Sequence, residues 1–253
     1  MVKVGLIGGT GLEDLNILEE TKTVDVSTPY GSPSSSFYTG LMGQCEIVIC
    51  SRHGRGHAIP PTFVNNRANI AAMKSLGCHY ILATTACGSL REEIKRGDFV
   101  IPDQFIDFTR HRVVTFFEEF EQGNMKHTPM ADPFNEYLRG LLIESAMEQE
   151  LPFHAKGTLI SIEGSRFSTR AESRMYRILG ADVVNMSICP EAILANEAGI
   201  PYAAIALSTD YDAWREGEST VTWDEILSVF QTNVKSLTGL LINCLKKIKI
   251  AAA

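Results

Sequence analysis

The sequence lacks an excess of positive charge and has no long apolar run. Lys and Arg together number 23 against 30 Asp and Glu, so the formal net charge is -7, which disfavours binding of nucleic acid through a basic face. The longest apolar stretches, residues 200–207 and 239–244, are far shorter than the roughly 20 residues that cross a bilayer. Residues 1–8 have the pattern of a strand and not of a secretion signal. We therefore expect neither nucleic acid nor a membrane among the partners of this protein.

Cysteine is sparse, and its spacing suits neither a metal site nor redox chemistry. The six cysteines include no CxxC pair and no zinc-like spacing. This usage is typical of reduced thiols in a cytoplasmic protein, and we expect no metal site.

Linker-like tracts and internal repeats are also missing from the sequence. At an average of roughly 150 residues per domain, the length of 253 residues fits one large domain or two small ones. We predict one domain over residues 1–250.

Apolar strand-like runs alternate with helical patterns along the whole chain. Strands are predicted at residues 3–7, 36–41, 46–50, 80–84, 98–102, 156–161, 182–185 and 202–207. Helices are predicted at residues 63–76, 133–148, 190–198 and 223–246. This alternation predicts an α/β fold, a single domain with a mixed central β-sheet flanked by helices. In such folds the ligand groups come from loops at the carboxyl ends of the strands.

The first loop of this kind is glycine-rich and spans residues 8–12. Its backbone N–H groups and the Thr10 hydroxyl can line an anion site. It does not match the dinucleotide fingerprint G-x-G-x-x-G, because Asp14 stands where the third glycine is required. The loop therefore favours a binding site for phosphate over one for a nicotinamide cofactor. A simple turn without a ligand is the alternative.

Two further loops follow predicted strands. Residues 51–57 combine two arginines and two histidines, among which Arg52 offers a planar fork for an oxyanion and His53 can exchange a proton near neutral pH. A solvated basic turn is the alternative. In the next loop Gly88 permits close approach of a ligand, while Cys87 has no base with a fixed relation to it and is interpreted as a buried, inert thiol.

An acidic pair, Asp210 and Asp212, follows the strand predicted at residues 202–207. Residues i and i+2 project to one side if the backbone stays extended. Two carboxylates so close together raise the pKa of at least one, which suits donation of a proton to a ring nitrogen. The alternative is a capping or turn pair, and a metal site is less favoured because no histidine lies nearby in sequence.

The segment around Phe167 and the strand end at residues 184–187 complete the set. Ser168 or Thr169 can cap a following helix, with Glu172 completing a capping box. Phe167 on such a loop can stack on a planar ring, and a core aromatic is the equal alternative. Residues 184–187 lead directly from a buried strand into a helix.

Together these motifs resemble the trimeric purine nucleoside phosphorylase family, and within it the members that act on 5′-methylthioadenosine. The matching segments lie in order at residues 8–12, 51–54, 84–93, 103–107, 127–130, 163–164, 166–168, 185–187 and 209–212. The resemblance implies the phosphorylase-type α/β fold, a homotrimer, and cleavage of an N-ribosidic bond by inorganic phosphate. The expected products are adenine and 5-methylthioribose 1-phosphate, with phosphate as a co-substrate and no other cofactor.

The resemblance also implies a role for each matching residue. Phosphate would be held by Thr10, Arg52, His53, Thr85 and Ser187. The ribose and the purine would lie against Ala86, Met186, Phe167 and Ser168. Asp210 and Asp212 would be catalytic, at N7 and the 6-amino edge of the base. The 5′-methylthio group would be covered by Trp223 and Ile226, together with His127 from a neighbouring subunit.

Three alternatives remain open from the sequence. A phosphorylase for 6-oxopurine nucleosides, acting on 5′-methylthioinosine, inosine or guanosine, would share the fold. Aspartates at the base favour an aminopurine, because an ionised carboxylate accepts from a 6-amino group and is left unpaired by a 6-oxo group. A nucleoside sensor without turnover has no need of a phosphate pocket. A nucleotide-dependent oxidoreductase is disfavoured by the failed glycine fingerprint.

Overall fold

A mixed β-sheet of eleven strands runs through the part of the chain that the computed structural model describes, residues 1–8, 18–217 and 221–249. The strands are β1 Val2–Gly8, β2 Glu19–Val24, β3 Phe37–Met42, β4 Cys45–Ser51, β5 Tyr80–Ser89, β6 Phe99–Val100, β7 Gln104–Asp107, β8 Phe153–His154, β9 Thr158–Ser161, β10 Val183–Asn185 and β11 Tyr202–Asp210. The helices are α1 Asn66–Ser75, α2 Glu136–Glu148, α3 Arg170–Ile178, α4 Ile188–Glu197 and α5 Trp223–Lys247. The predicted single-domain α/β fold with a mixed central sheet is confirmed; its predicted end at residue 250 lies outside the described residues.

The long strand β5 is the centre of the sheet. It pairs in parallel with β1 and with β11, and its last two residues pair antiparallel with β10. Strand β4 lies parallel to β1, so that Gly8 and Ser51 are partners. Parallel strands present their carboxyl ends at one edge, and the ends of β1, β4, β5 and β11 therefore meet there.

Helices cover both faces of the sheet. Side chains alternate between the faces along each strand, and on β1 Ile7 belongs to one apolar cluster while Leu6 belongs to another. Helices α1 and α4 pack in the Ile7 cluster, and α2 and α5 pack in the Leu6 cluster. No helix in the described ranges is long and apolar enough to span a bilayer.

All six cysteines are buried with free thiols. Burial raises the pKa of Cys87 well above its ordinary value, which agrees with the interpretation of Cys87 as an inert thiol.

Two strands extend further than their apolar patterns indicate. Strand β5 was expected to end at residue 84, but it continues through the polar and small residues to Ser89 because β11 and β10 pair with this part. Strand β11 likewise continues to Asp210. The strand predicted at residues 98–102 is reduced to Phe99–Val100. Strands β2, β7 and β8 were not predicted; β2 is exposed along nearly its whole length and so has no apolar signal.

Candidate active site

A cleft opens at the edge where the carboxyl ends of these strands meet. Strands β5, β10 and β11 form its floor, and the first turns of α5 form one wall. Of the predicted site residues that the structure describes, all but His127 line this cleft. Thr10 lies outside the described residues. His127 is exposed on a segment without regular structure and packs edge-on against Phe120, with ring centroids 5.9 Å apart.

Arg52 directly follows β4 and is almost completely buried, with 2% of its surface exposed. Its Nε and Nη2 donate to the two carboxylate oxygens of Glu191 at 2.5 and 3.0 Å, and Nη1 donates to the carbonyl of Thr84 at 2.8 Å. Burial acts against the charge, but Glu191 outweighs it and the pKa of Arg52 is raised. These contacts use three of five N–H donors. Among the described residues, one N–H on each Nη is left to donate to an oxyanion such as phosphate.

His53 is neutral, and in this respect the sequence-based prediction was wrong. Burial, with the charge of Arg52 adding to it, lowers the pKa of His53 to about 3. Its Nδ1 lies 2.9 Å from the carbonyl oxygen of Ile59, so in the neutral ring this nitrogen carries the proton and the other ring nitrogen is an acceptor. The lowered pKa disfavours proton exchange by His53 near neutral pH, and the loop is less cationic than its composition indicates.

Two hydroxyls stand side by side at the same part of the cleft. Thr85 projects from β5 and Ser187 is the N-cap residue of α4, and their oxygens are 3.2 Å apart. Ser187 forms no side-chain cap hydrogen bond. A helix N-terminus without such a cap is a favourable place for an anion, because its N–H groups and the helix dipole face the ligand.

A β-bulge directs Asp210 into the cleft. The register of β11 against β5 shifts between Ser208 and Asp210, and bulges of this kind turn side chains toward sites. The carboxylate accepts from the Thr209 hydroxyl and from the backbone N–H of Asp212, both at 2.8 Å. It also lies against Gly88, where an added Cβ would be only 2.8 Å from Oδ1. Glycine is therefore required at this position for close approach of the carboxylate.

The geometry of the acidic pair differs from the expectation. The backbone does not stay extended, because Asp212 adopts a φ of +48° and the chain turns after β11. Both carboxylates nevertheless line the cleft. Burial is the main cause that raises the pKa of Asp210 to about 6, while the charge of Asp212 contributes less. The raised pKa is confirmed, but its main cause is burial and not the neighbouring carboxylate.

Asp212 lies between the hydroxyls of Ser168 and Ser173. Burial raises the pKa of Asp212, and these two hydroxyls oppose the rise. Neither makes a well-aligned bond, since Asp212 Oδ2 and both hydroxyl oxygens are buried without a hydrogen-bond partner. Buried polar atoms of this kind are costly unless a ligand completes them. Of these three atoms, Asp212 Oδ2 and Ser168 Oγ belong to residues that line the cleft, where they can meet the polar edge of a flat ring.

The remaining walls are apolar. Phe167 is 39% exposed and lines the cleft, which removes the alternative of a core aromatic. The capping box of α3 is confirmed, with Thr169 as the N-cap residue and Glu172 at its third position. Ala86 and Met186 line the same cleft, and α5 contributes a wall of Trp223, Ile226, Leu227 and Phe230.

Three residues behind the cleft were not predicted. Glu191 pairs with Arg52, although 139 residues separate them. Arg112 donates to the carbonyl of Met186 and pairs with the carboxylate of Glu163, which also accepts from Thr62. None of these contacts has a local sequence signal, because each joins segments that are distant in the chain.

The chain is similar to known proteins over nearly its whole length. The profile of the Phosphorylase superfamily matches residues 3–246. The S-methyl-5′-thioadenosine phosphorylase of Xenopus tropicalis is 50% identical over 250 residues, which are 98% of this chain and 89% of that protein. A solved structure of the methylthioadenosine phosphorylase from Schistosoma mansoni in complex with adenine is 41% identical, with a TM-score of 0.91 over 97% of this chain and 91% of that one. A mutant of the adenosine/methylthioadenosine phosphorylase from the same organism, in complex with methylthioadenosine, has the same identity, TM-score and coverage.

Proposed function

The chain belongs to the phosphorylase superfamily, and from this membership and the geometry of the cleft we propose that it cleaves 5′-methylthioadenosine with inorganic phosphate. The products are adenine and 5-methylthioribose 1-phosphate, so the protein is a pentosyltransferase. The observation that carries the proposal is one cleft that combines a buried carboxyl of raised pKa, Asp210, with the partly open guanidinium fork of Arg52.

The proposed mechanism follows the movement of charge. Cleavage of the ribosyl–nitrogen bond passes through an oxocarbenium-like state, in which positive charge grows on the sugar and negative charge on the departing purine. Phosphate held by Arg52, Thr85 and Ser187 stabilises the sugar and then bonds to its anomeric carbon. Protonated Asp210 donates to N7 of the purine and stabilises the leaving group. A preorganised donor of this kind contributes about 3–4 kcal/mol.

Phosphate dependence tests the proposed function directly. Incubation of the protein with 5′-methylthioadenosine should release adenine only when phosphate is present, with one 5-methylthioribose 1-phosphate formed for each adenine. Release of adenine without phosphate would indicate a hydrolase. Binding of the nucleoside without turnover in phosphate would indicate a sensor.

Asp212 sets the preference for an aminopurine, and its substitution should change that preference. The Asp212→Asn variant gains a donor that a 6-oxo group can accept, while the 6-amino group loses a charged acceptor. We expect the ratio of kcat/KM for 5′-methylthioadenosine over 5′-methylthioinosine to fall by about a hundredfold.

The measurement is adenine and hypoxanthine release from the two nucleosides under identical conditions. Asp132→Asn, at an exposed position that does not line the cleft, is the matched control and should leave the ratio unchanged. A wild-type enzyme that releases hypoxanthine faster than adenine would favour the 6-oxopurine alternative, and an unchanged ratio in Asp212→Asn would contradict the role of this residue.

Assembly, cofactor use and compartment are further parts of the proposal. We propose a homotrimer in which His127 covers the 5′-methylthio group bound by a neighbouring subunit; the exposure of His127, Phe120 and Met125 on one irregular segment supports this. Light scattering should give three times the chain mass.

We also propose that phosphate is the only further reactant and that Thr10 joins the phosphate site. The enzyme would serve purine and methionine salvage in the cytoplasm, where its free thiols stay reduced.

A further inference from the structure

We infer that Asn185, held by Ser161 behind it, orients the two hydroxyls of the phosphate site so that both donate to the anion. The inference rests on the proposed function, in which Thr85 and Ser187 bind phosphate. Asn185 ends β10 and lines the cleft, whereas Ser161 ends β9 and is not part of the cleft wall. Both are more than nine-tenths buried, with exposures of 5% and 0%.

The direction of each hydrogen bond follows from the backbone behind the site. The N–H of Cys189 can only donate, and it donates to Ser161 Oγ at 3.0 Å. The single proton of the Ser161 hydroxyl is then free to donate to Asn185 Oδ1, which is 2.6 Å away. The N–H of Ser187 also approaches this oxygen, at 3.4 Å. Because these donors converge on it, this atom of the Asn185 amide must be the oxygen.

The amide nitrogen of Asn185 therefore faces the two hydroxyls. Its Nδ2 lies 3.3 Å from Thr85 Oγ1 and 3.5 Å from Ser187 Oγ. The nitrogen can only donate, so each hydroxyl oxygen accepts on this side and its own proton points elsewhere. In the structure the Thr85 proton goes to the carbonyl of Ala86 at 2.9 Å, a bond that phosphate would replace.

This orientation matters because the described residues of the phosphate site carry little net charge. Glu191 matches the charge of Arg52, and His53 is neutral at pH 7. Recognition of phosphate must then depend on donors that are already oriented toward the anion. A hydroxyl that turned its lone pair toward phosphate would repel it. The amide nitrogen of Asn185 occupies one lone pair of each hydroxyl, which favours donation of the hydroxyl proton to the anion once phosphate replaces the bond to Ala86.

Two substitutions test the inference. Ser161→Ala removes the group that orients the amide, and we expect the KM for phosphate to rise about threefold to tenfold, with the KM for 5′-methylthioadenosine within twofold of wild type. Asn185→Asp replaces the donor by an acceptor and places a like charge beside phosphate, so the KM for phosphate should rise at least about a hundredfold. Ser145→Ala is the matched control, because Ser145 is also a fully buried serine but lies on α2 outside the cleft.

A pH series separates orientation from a merely structural effect. When protonated, the carboxyl introduced by Asn185→Asp regains a donor and loses its charge. The factor by which the KM for phosphate of this variant exceeds that of the wild type should therefore shrink as the pH falls from 8 to 6. The inference is overturned if Ser161→Ala changes the KM for phosphate no more than Ser145→Ala does. It is also overturned if the increase in the KM for phosphate caused by Asn185→Asp is independent of pH. Wild-type protein that shows no phosphate-dependent release of adenine would instead contradict the proposed function.

Discussion

Replacement of Asp210 by alanine should lower kcat/KM for 5′-methylthioadenosine by about a hundredfold to a thousandfold. This is the usual cost of removing one preorganised donor at the site where negative charge develops. Asp210 is suited to this role because burial raises its pKa to about 6, while Thr209 and the backbone N–H of Asp212 fix its orientation. The measurement is the initial rate of adenine release at low nucleoside concentration.

The pH dependence shows whether the proton of Asp210 is the active species. As the pH rises through about 6 the protonated fraction decreases, so kcat/KM of the wild type should fall by about tenfold for each further pH unit. Asp210→Asn keeps a donor at every pH and should lack this decline. Phosphate itself titrates in this range, so both enzymes are compared at saturating phosphate. Parallel profiles of the two enzymes would assign the decline to another group.

Arg52→Met should destabilise the protein as well as impair phosphate binding. Removing one partner of a buried ion pair costs about 3–5 kcal/mol, because Glu191 is left as an uncompensated buried charge. For a chain of this size that loss corresponds to a decrease of about 10 °C in the unfolding temperature. The KM for phosphate should rise at the same time, since the fork of two Nη donors is lost.

The double variant Arg52→Met/Glu191→Leu separates the two effects. Replacing both charges by apolar side chains of similar size is often neutral for stability, so the unfolding temperature should recover. Phosphate-dependent activity should not recover, because no guanidinium is present. Recovery of both would show that Arg52 has only a structural role.

The sequence was sufficient to locate the cleft because its strands are apolar and its polar residues cluster where those strands end. Most of the residues predicted from motifs line the cleft. Their electrostatic states were less accessible, because they depend on distant contacts. The low pKa of His53 results from burial, and the charge of Arg52 is matched by a residue on α4. The turn at Asp212 was predicted only as the alternative to an extended pair, since nothing in the local pattern indicates its left-handed backbone.

The pairing of β5 with β11 determines when the active site can form as the protein is synthesised. The paired residues are more than a hundred positions apart, and α5, which supplies a wall of the cleft, follows β11 in the chain. Pairing of such distant segments is entropically costly and slow. A nascent chain therefore has no catalytic centre until its last third has left the ribosome. In a refolding experiment, the return of enzymatic activity would mark the end of folding rather than its beginning.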